Sequence, residues 1–149
     1  MKAQLHSSAL VSFAGEGERL TVLGDQQTIR LEGSQTGGAF TLVEQNNAPG
    51  VSIPAHFHTQ EEEIFYVLEG EMEFTVGDRK IDATPGTTVL LPRGVTHSFK
   101  VKASGARALV MMLPSGIERM FRELDTLSPG PPDFTKVTSI CKRYGIHFV

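Results

Sequence analysis

This sequence predicts an all-β domain: an antiparallel barrel or jelly roll followed by a short helical tail. Three observations predict it. Short alternating or apolar segments succeed one another up to about residue 113, separated by Gly, Pro, Asn or Asp. Fifteen glycines, eight prolines and no tryptophan are the composition of a chain with many tight turns. No long helical pattern interrupts the body, which disfavours a parallel α/β sheet.

The strands are expected in quick order. Arg19 to Leu23 and Thr28 to Glu32 flank Gly24-Asp25, and Gly38 to Gln45 ends at the turn-rich Asn46-Asn47-Ala48-Pro49-Gly50. Glu63 to Glu69 is nearly all apolar or aromatic, as in a strand covered on both faces. Glu71 to Val76 alternates, so Met72, Phe74 and Val76 share one buried face. Gly77-Asp78 leads into Arg79 to Thr84, Pro85-Gly86 into Thr87 to Leu91, and Pro92-Arg93-Gly94 into His97 to Val101. Arg107 to Leu113 closes the body.

After Pro114 the period changes. Ile117, Met120, Phe121 and Leu124 form an i, i+3, i+4, i+7 stripe, and Ser115 with Glu118 has the capping-box spacing. Ser128 to Pro132 breaks this helix. A second one starts near Asp133, buries Val137, Ile140, Cys141 and Tyr144, and ends with Lys142, Arg143 and Gly145. Both helices are expected to pack on the outside of the barrel. The whole reads as one domain, 1–149, with the barrel at about 10–113 and the tail at about 114–149.

Composition excludes several function classes. Hydrophobic residues are 40% and charged residues 21%, which is globular rather than disordered. A net charge of -3 with no Lys/Arg cluster argues against nucleic acid as a partner. No apolar run is long enough for a membrane helix, and the short stretch Ala9 to Ala14 is no signal peptide. Cys141, the only cysteine, cannot form an internal disulfide, so a cytoplasmic location is expected and the thiol reads as packing.

The densest clue is Gly50 to Glu63. His56 and His58 are two apart, so on an extended strand both imidazoles share a face and Phe57 points the other way. Two neutral imidazoles on one face are ready ligands for a borderline divalent metal. Glu63 lies five residues past His58, an odd spacing that an unbroken strand would turn to the opposite face. The run Thr59-Gln60-Glu61 therefore has to turn or bulge to bring Glu63 to the histidines. Glu62 is the alternative ligand, and Glu61 reads as solvated surface. His97 is the fourth candidate, although periodicity alone cannot link it to His56; a closed barrel would. His6 and His147 are given no role, and Arg93 and Arg107 read as structural or functional alike.

These residues resemble the two motifs of the cupin superfamily. The first motif is Gly, five residues, His-x-His, three or four residues, Glu, six residues, Gly; here it runs Gly50, His56, His58, Glu63, Gly70. The second is Gly, five residues, Pro, one residue, Gly, two residues, His, three residues, Asn; here it runs Gly86, Pro92, Gly94, His97, with Val101 in place of the Asn. The resemblance spans roughly residues 38 to 113. It implies a cupin-type double-stranded β-helix, with His56, His58, Glu63 and His97 pointing inward onto one divalent transition metal (Fe, Mn, Ni, Co, Cu or Zn). The segments Thr36 to Phe40, Phe65 to Glu71 and Ile117 to Tyr144 are similar to small single-domain bacterial cupins, many of them like the bacterial quercetin 2,3-dioxygenases. That similarity implies a metal-dependent dioxygenase for a flavonol-like or other enolic small molecule, with Glu63 as catalytic base. It also leaves room for a non-oxidative metal cupin (isomerase, epimerase or decarboxylase) and for a small-molecule sensor. A homodimer is implied by the same family analogy. The pocket lining is expected among Phe40, Phe65, Met72, Phe74, Phe99 and Met111.

Overall fold

The computed structural model describes residues 8–149. His6 lies outside them. Among the described residues nine strands form one curled antiparallel sheet: β1 (Glu18–Val22), β2 (Asp25–Leu31), β3 (Thr41–Asn47), β4 (Ser52–His58), β5 (Glu62–Val76), β6 (Arg79–Ala83), β7 (Thr88–Leu91), β8 (His97–Leu113) and β9 (Ile146–Phe148). Three helices accompany them: α1 (Gly33–Thr36), α2 (Glu118–Asp125) and α3 (Phe134–Arg143).

Two long strands organise the sheet. β5 and β8 pair from Glu62↔Leu113 to Val76↔His97, and each bends midway. The C-terminal half of β8 carries β3, β2 and β1, while the N-terminal half of β5 carries β7. The other halves carry β4 with β9 and β6. The sequence predicts four separate strands here, Glu63 to Glu69, Glu71 to Val76, His97 to Val101 and Arg107 to Leu113, with Gly70 and residues 102–106 as the breaks between them. The backbone instead runs through them with register shifts on either side of Gly70. Gly70 has φ +73°, and a Cβ on it would stand 1.9 Å from the Gly105 carbonyl oxygen. The glycine thus lets two bent strands touch at a barrel corner.

Phe65, Val67, Met72, Phe74, Phe99, Val101, Val110 and Met112 fill the interior, each following strand alternation. Phe65, Phe74 and Phe99 meet edge-on or tilted, with centroids 5.0 to 6.1 Å apart.

Four local expectations are corrected. β3 runs through Asn46 and Asn47, because Asn47 pairs with Ala106 and its side chain is buried against Asp25; the turn comes at Ala48 to Val51. Ser115 caps no helix: Glu118 reaches back to the Gly116 amide instead, at 2.7 Å. The terminal segment after Gly145 is a strand, β9, zipped to β4 by the pairs His58↔Ile146 and His56↔Phe148.

The fourth concerns the helices, which do not decorate the outside. Ile117, Met120, Phe121 and Leu124, together with Cys141, line the internal cavity that also holds the histidines. Their stripe is the inner surface of a plug over the barrel mouth. Burying each such side chain contributes about 1.5–3 kcal/mol before conformational entropy is subtracted. α3 starts as expected at Asp133, whose carboxylate accepts from the Thr135 and Lys136 amides. Burial pushes the Cys141 thiol up to about 11, in keeping with a packing role.

Candidate metal centre

The strand pairing sets His56 directly opposite His97, and alternation along β4 brings His58 to the same interior face. Phe57 faces the other way and stacks on His147. Thr59 and Gln60 form a bend after β4, so the chain reverses and Glu63 returns inward from β5, on the opposite side of the barrel. Thr59 is held there by the Gly145 carbonyl, which accepts from both its amide and its hydroxyl at 2.8 Å. The tail therefore fixes the turn that delivers the glutamate. Glu62 is exposed and stays outside the cluster.

Among the described residues, His56, His58, Glu63 and His97 form a buried group whose ligand atoms all lie within 4.8 Å of one another. Metal bonds of about 2.1 Å put ligands on opposite sides of an ion about 4.2 Å apart, so only a slight contraction is needed.

The ring orientations fit a cation better than they fit one another. Each Nδ1 faces an acceptor: the Pro54 carbonyl at 2.7 Å for His56, the Val95 carbonyl at 3.2 Å for His97 and Glu61 Oε2 at 3.3 Å for His58. An Nδ1–H donated outward leaves the Nε2 lone pair facing inward, the tautomer a metal requires. His58 Nε2 and His97 Nε2 are buried and lack any hydrogen-bond partner, although Glu63 Oε2 is 3.6 and 3.1 Å away. Buried nitrogens without partners are costly unless something occupies the space between them.

The electrostatics agree. Burial alone would raise the Glu63 carboxyl, yet His58, His97 and His56 bring it down to about 2. Burial, then the neighbouring His97, lowers His56 to about 4, so this ring is neutral at pH 7. Burial works against a proton on His58, but Glu63 and Glu61 together raise it above the ordinary histidine value.

Glu61 corrects the sequence reading. It is only 4% exposed and orients His58. A carboxylate within a run of three glutamates looks solvated, and only the bend after His58 turns it inward. The expected lining is also revised: Phe65 and Phe99 face the cavity, Met72 and Phe74 lie in the packed core, and Phe40 and Met111 do neither.

The cavity is narrow, leaving about 70 Å³ of space for the centres of water-sized spheres. Ile53, Phe65, Phe99, Ile117, Phe121 and Phe148 make much of it apolar. Asp25, Gln27 and Gln45 line it as well, a polar group the sequence reading passed over. Alternation in β2 was the available signal, since Asp25 and Gln27 share a face with the buried Ile29. The Asp25 carboxyl is raised to about 6, because burial outweighs its bonds from Asn47 and Gln27. No helix among the described residues is long and apolar enough to cross a membrane.

Comparison with known proteins follows the same lines. Residues 43–113 match the cupin domain family model. Over 112 residues, 74% of this chain, the sequence is 31% identical to a quercetin 2,3-dioxygenase of Bacillus subtilis, of which it covers 33%. The chain spans about a third of the length of the curated relatives it matches. Among solved structures, KdgF from Halomonas sp. aligns with a TM-score of 0.66 at 18% identity, over 75% of this chain and 99% of that one. A predicted oxalate decarboxylase from Thermotoga maritima aligns with a TM-score of 0.61 at 22% identity, over 70% and 99%. At these identities the structural likeness establishes the fold.

Proposed function

The chain belongs to the cupin superfamily, and from that premise we propose that it is a mononuclear metal-dependent dioxygenase for a flavonol-like or other enolic small molecule. One observation carries this reading: three inward-facing imidazoles and one ionised carboxylate converge on a largely apolar cavity. The likeness to quercetin 2,3-dioxygenase supports the choice of substrate class.

In this proposal His56, His58, Glu63 and His97 hold one divalent ion. The ion, when bound, would supply a Lewis acid with open positions for substrate oxygens. The chain's own residues do the rest. Glu63, ionised at neutral pH, accepts the enol proton of the substrate on a carboxylate oxygen. Phe65, Phe99 and Phe148 press on a flat ring system, and the α2 stripe keeps bulk water from the reacting atoms.

The test combines elemental analysis with oxygen uptake. The native protein should carry about one divalent ion per chain, and His97→Ala should lose most of it. The metal-loaded protein should consume O₂ with quercetin or a related enol. Metal-loaded protein that binds quercetin and takes up no O₂ refutes the proposal. Turnover of a keto acid or sugar under nitrogen would replace it with a non-oxidative reaction.

A further inference from the structure

The cavity has a second polar pole beyond the histidine cluster. Asp25, on β2, is buried, and its two oxygens accept three side-chain amides. Gln27 Nε2 and Gln45 Nε2 both donate to Oδ2 at 2.8 Å, and Asn47 Nδ2 donates to Oδ1 at 2.7 Å. Asn47 Oδ1 is occupied in turn, accepting the Gln26 amide at 2.7 Å.

This arrangement fixes which way the glutamine amides face. A carboxylate only accepts, so each NH₂ must turn toward Asp25 and each carbonyl oxygen away from it. Gln27 Oε1 and Gln45 Oε1 are buried and have no hydrogen-bond partner among the described residues. The two side chains are 5% and 4% exposed, and both line the cavity that holds the metal cluster. A buried carbonyl oxygen without a donor is costly, and these two, the only such side-chain oxygens among the described residues, ask for a ligand that supplies donors.

We propose that Gln27 and Gln45, oriented by Asp25, form a recognition subsite that accepts hydrogen bonds from hydroxyl groups of the molecule bound at the metal cluster. The substrate class is thereby narrowed to polyhydroxylated molecules: an oxygen-bearing end meets the ion, and donor hydroxyls at another position meet the two glutamine oxygens. Gln27 and Gln45 are specificity-determining residues and Asp25 is a positioning residue. The inference rests on the reading that small molecules bind at the metal cluster, but it requires no particular reaction.

Binding under nitrogen tests it apart from turnover. Quercetin and 3-hydroxyflavone carry the same hydroxyketone, and only quercetin carries further hydroxyls. Isothermal titration of the metal-loaded protein should show quercetin binding at least about tenfold more tightly, as expected when a buried acceptor is left unpaired by the poorer ligand. Gln45→Leu and Gln27→Leu should each shrink that ratio toward one, since neither ligand then leaves that acceptor unpaired. Equal affinities in the unmodified protein overturn the proposal, since water alone would then serve the two oxygens, and this comparison needs no variant to fold. Failure of both ligands to bind overturns it too. A clear preference for quercetin with no O₂ uptake in air leaves the subsite standing and refutes the dioxygenase reading alone.

Discussion

Glu118 joins the helical plug to the barrel, and its removal gives a sharp test of how the cavity is closed. The side chain is only 5% exposed. Its carboxylate accepts from the Thr41 hydroxyl of β3 at 2.6 Å, the Gly33 amide of α1 at 2.9 Å and the Gly116 amide at 2.7 Å. Thr41 is fully buried, so in Glu118→Ala its hydroxyl loses this acceptor where water does not reach. Each donor stranded this way costs about 1–3 kcal/mol, and the three are not additive. The expected loss is therefore about 3–5 kcal/mol, a fall in Tm of about 10 °C or more for a chain of this size. Glu118→Gln keeps one acceptor oxygen and should lose about half as much. Acid adds a signature. Burial would raise this carboxyl, but the Thr41, Gly33 and Gly116 bonds hold it below the ordinary glutamate value. A depressed acid stabilises the fold above its unfolded pKa, and that stabilisation goes as pH falls through the folded one. The native protein should converge on Glu118→Gln in acid and separate from it at neutral pH. Urea unfolding at several pH values measures both effects. A loss under 1 kcal/mol for Glu118→Ala, or a pH-independent gap to Glu118→Gln, would refute this account of the plug.

Three further outcomes follow from the geometry. Glu61→Gln should weaken metal binding about 10- to 100-fold by loosening the His58 ring, measured by competition with a chromophoric chelator; unchanged affinity would show that Glu61 does not orient it. Gly70→Ala should cost about 3 kcal/mol or more, beyond the ordinary left-handed penalty of about 1–2 kcal/mol, because its Cβ meets the Gly105 carbonyl; Gly24→Ala, with nothing within 4 Å, should cost only that penalty, and equal Tm shifts would count against the corner. Burial raises Asp25 from 3.8 to about 6, so folding favours its protonated form; the contribution is complete below the unfolded pKa and is lost as pH rises through about 6. Measured against Asp25→Asn, the native protein should lose about 3 kcal/mol of stability between about pH 3 and pH 7, and a flat difference would contradict the assignment.

Much of the site is legible in the sequence because strand alternation is a local rule. The spacing of His56 and His58 fixes a common face, and the odd spacing to Glu63 requires the bend that Thr59 and Gln60 make. What alternation cannot convey is the depth of a residue or what covers it. Glu61 looks like surface until the bend is in place, and then it holds His58. Asp25 and Gln27 share a face with Ile29, but polar side chains on an inward face read as exceptions until Gln45 and Asn47 arrive from β3 to meet them. The apolar stripe of α2 names a buried helix face without naming the mouth it closes. β9 is three residues long, too short to show a period, and only its pairing with β4 makes it a strand.

The bent pair β5–β8 explains why separate stretches can meet at one point. His97 lies at the N-terminal end of β8, opposite His56, whereas Glu63 pairs with Met112 near its other end. If β8 ran straight, thirteen or more residues of strand, at about 3.3 Å each, would hold Glu63 and His97 roughly 40 Å or more apart. Their ligand atoms are 3.1 Å apart because both strands fold over at the Gly70–Gly105 contact and set the two halves face to face. The metal cluster is thus a property of the corner as much as of its four side chains. A one-residue slip of β4 against β8 would turn both His56 and His58 outward together, whereas loss of the bend would remove Glu63 alone. Substitutions at Gly70 that still fold should therefore keep the three histidines together and weaken the hold of the carboxylate, a pattern that no change at the histidines themselves can imitate.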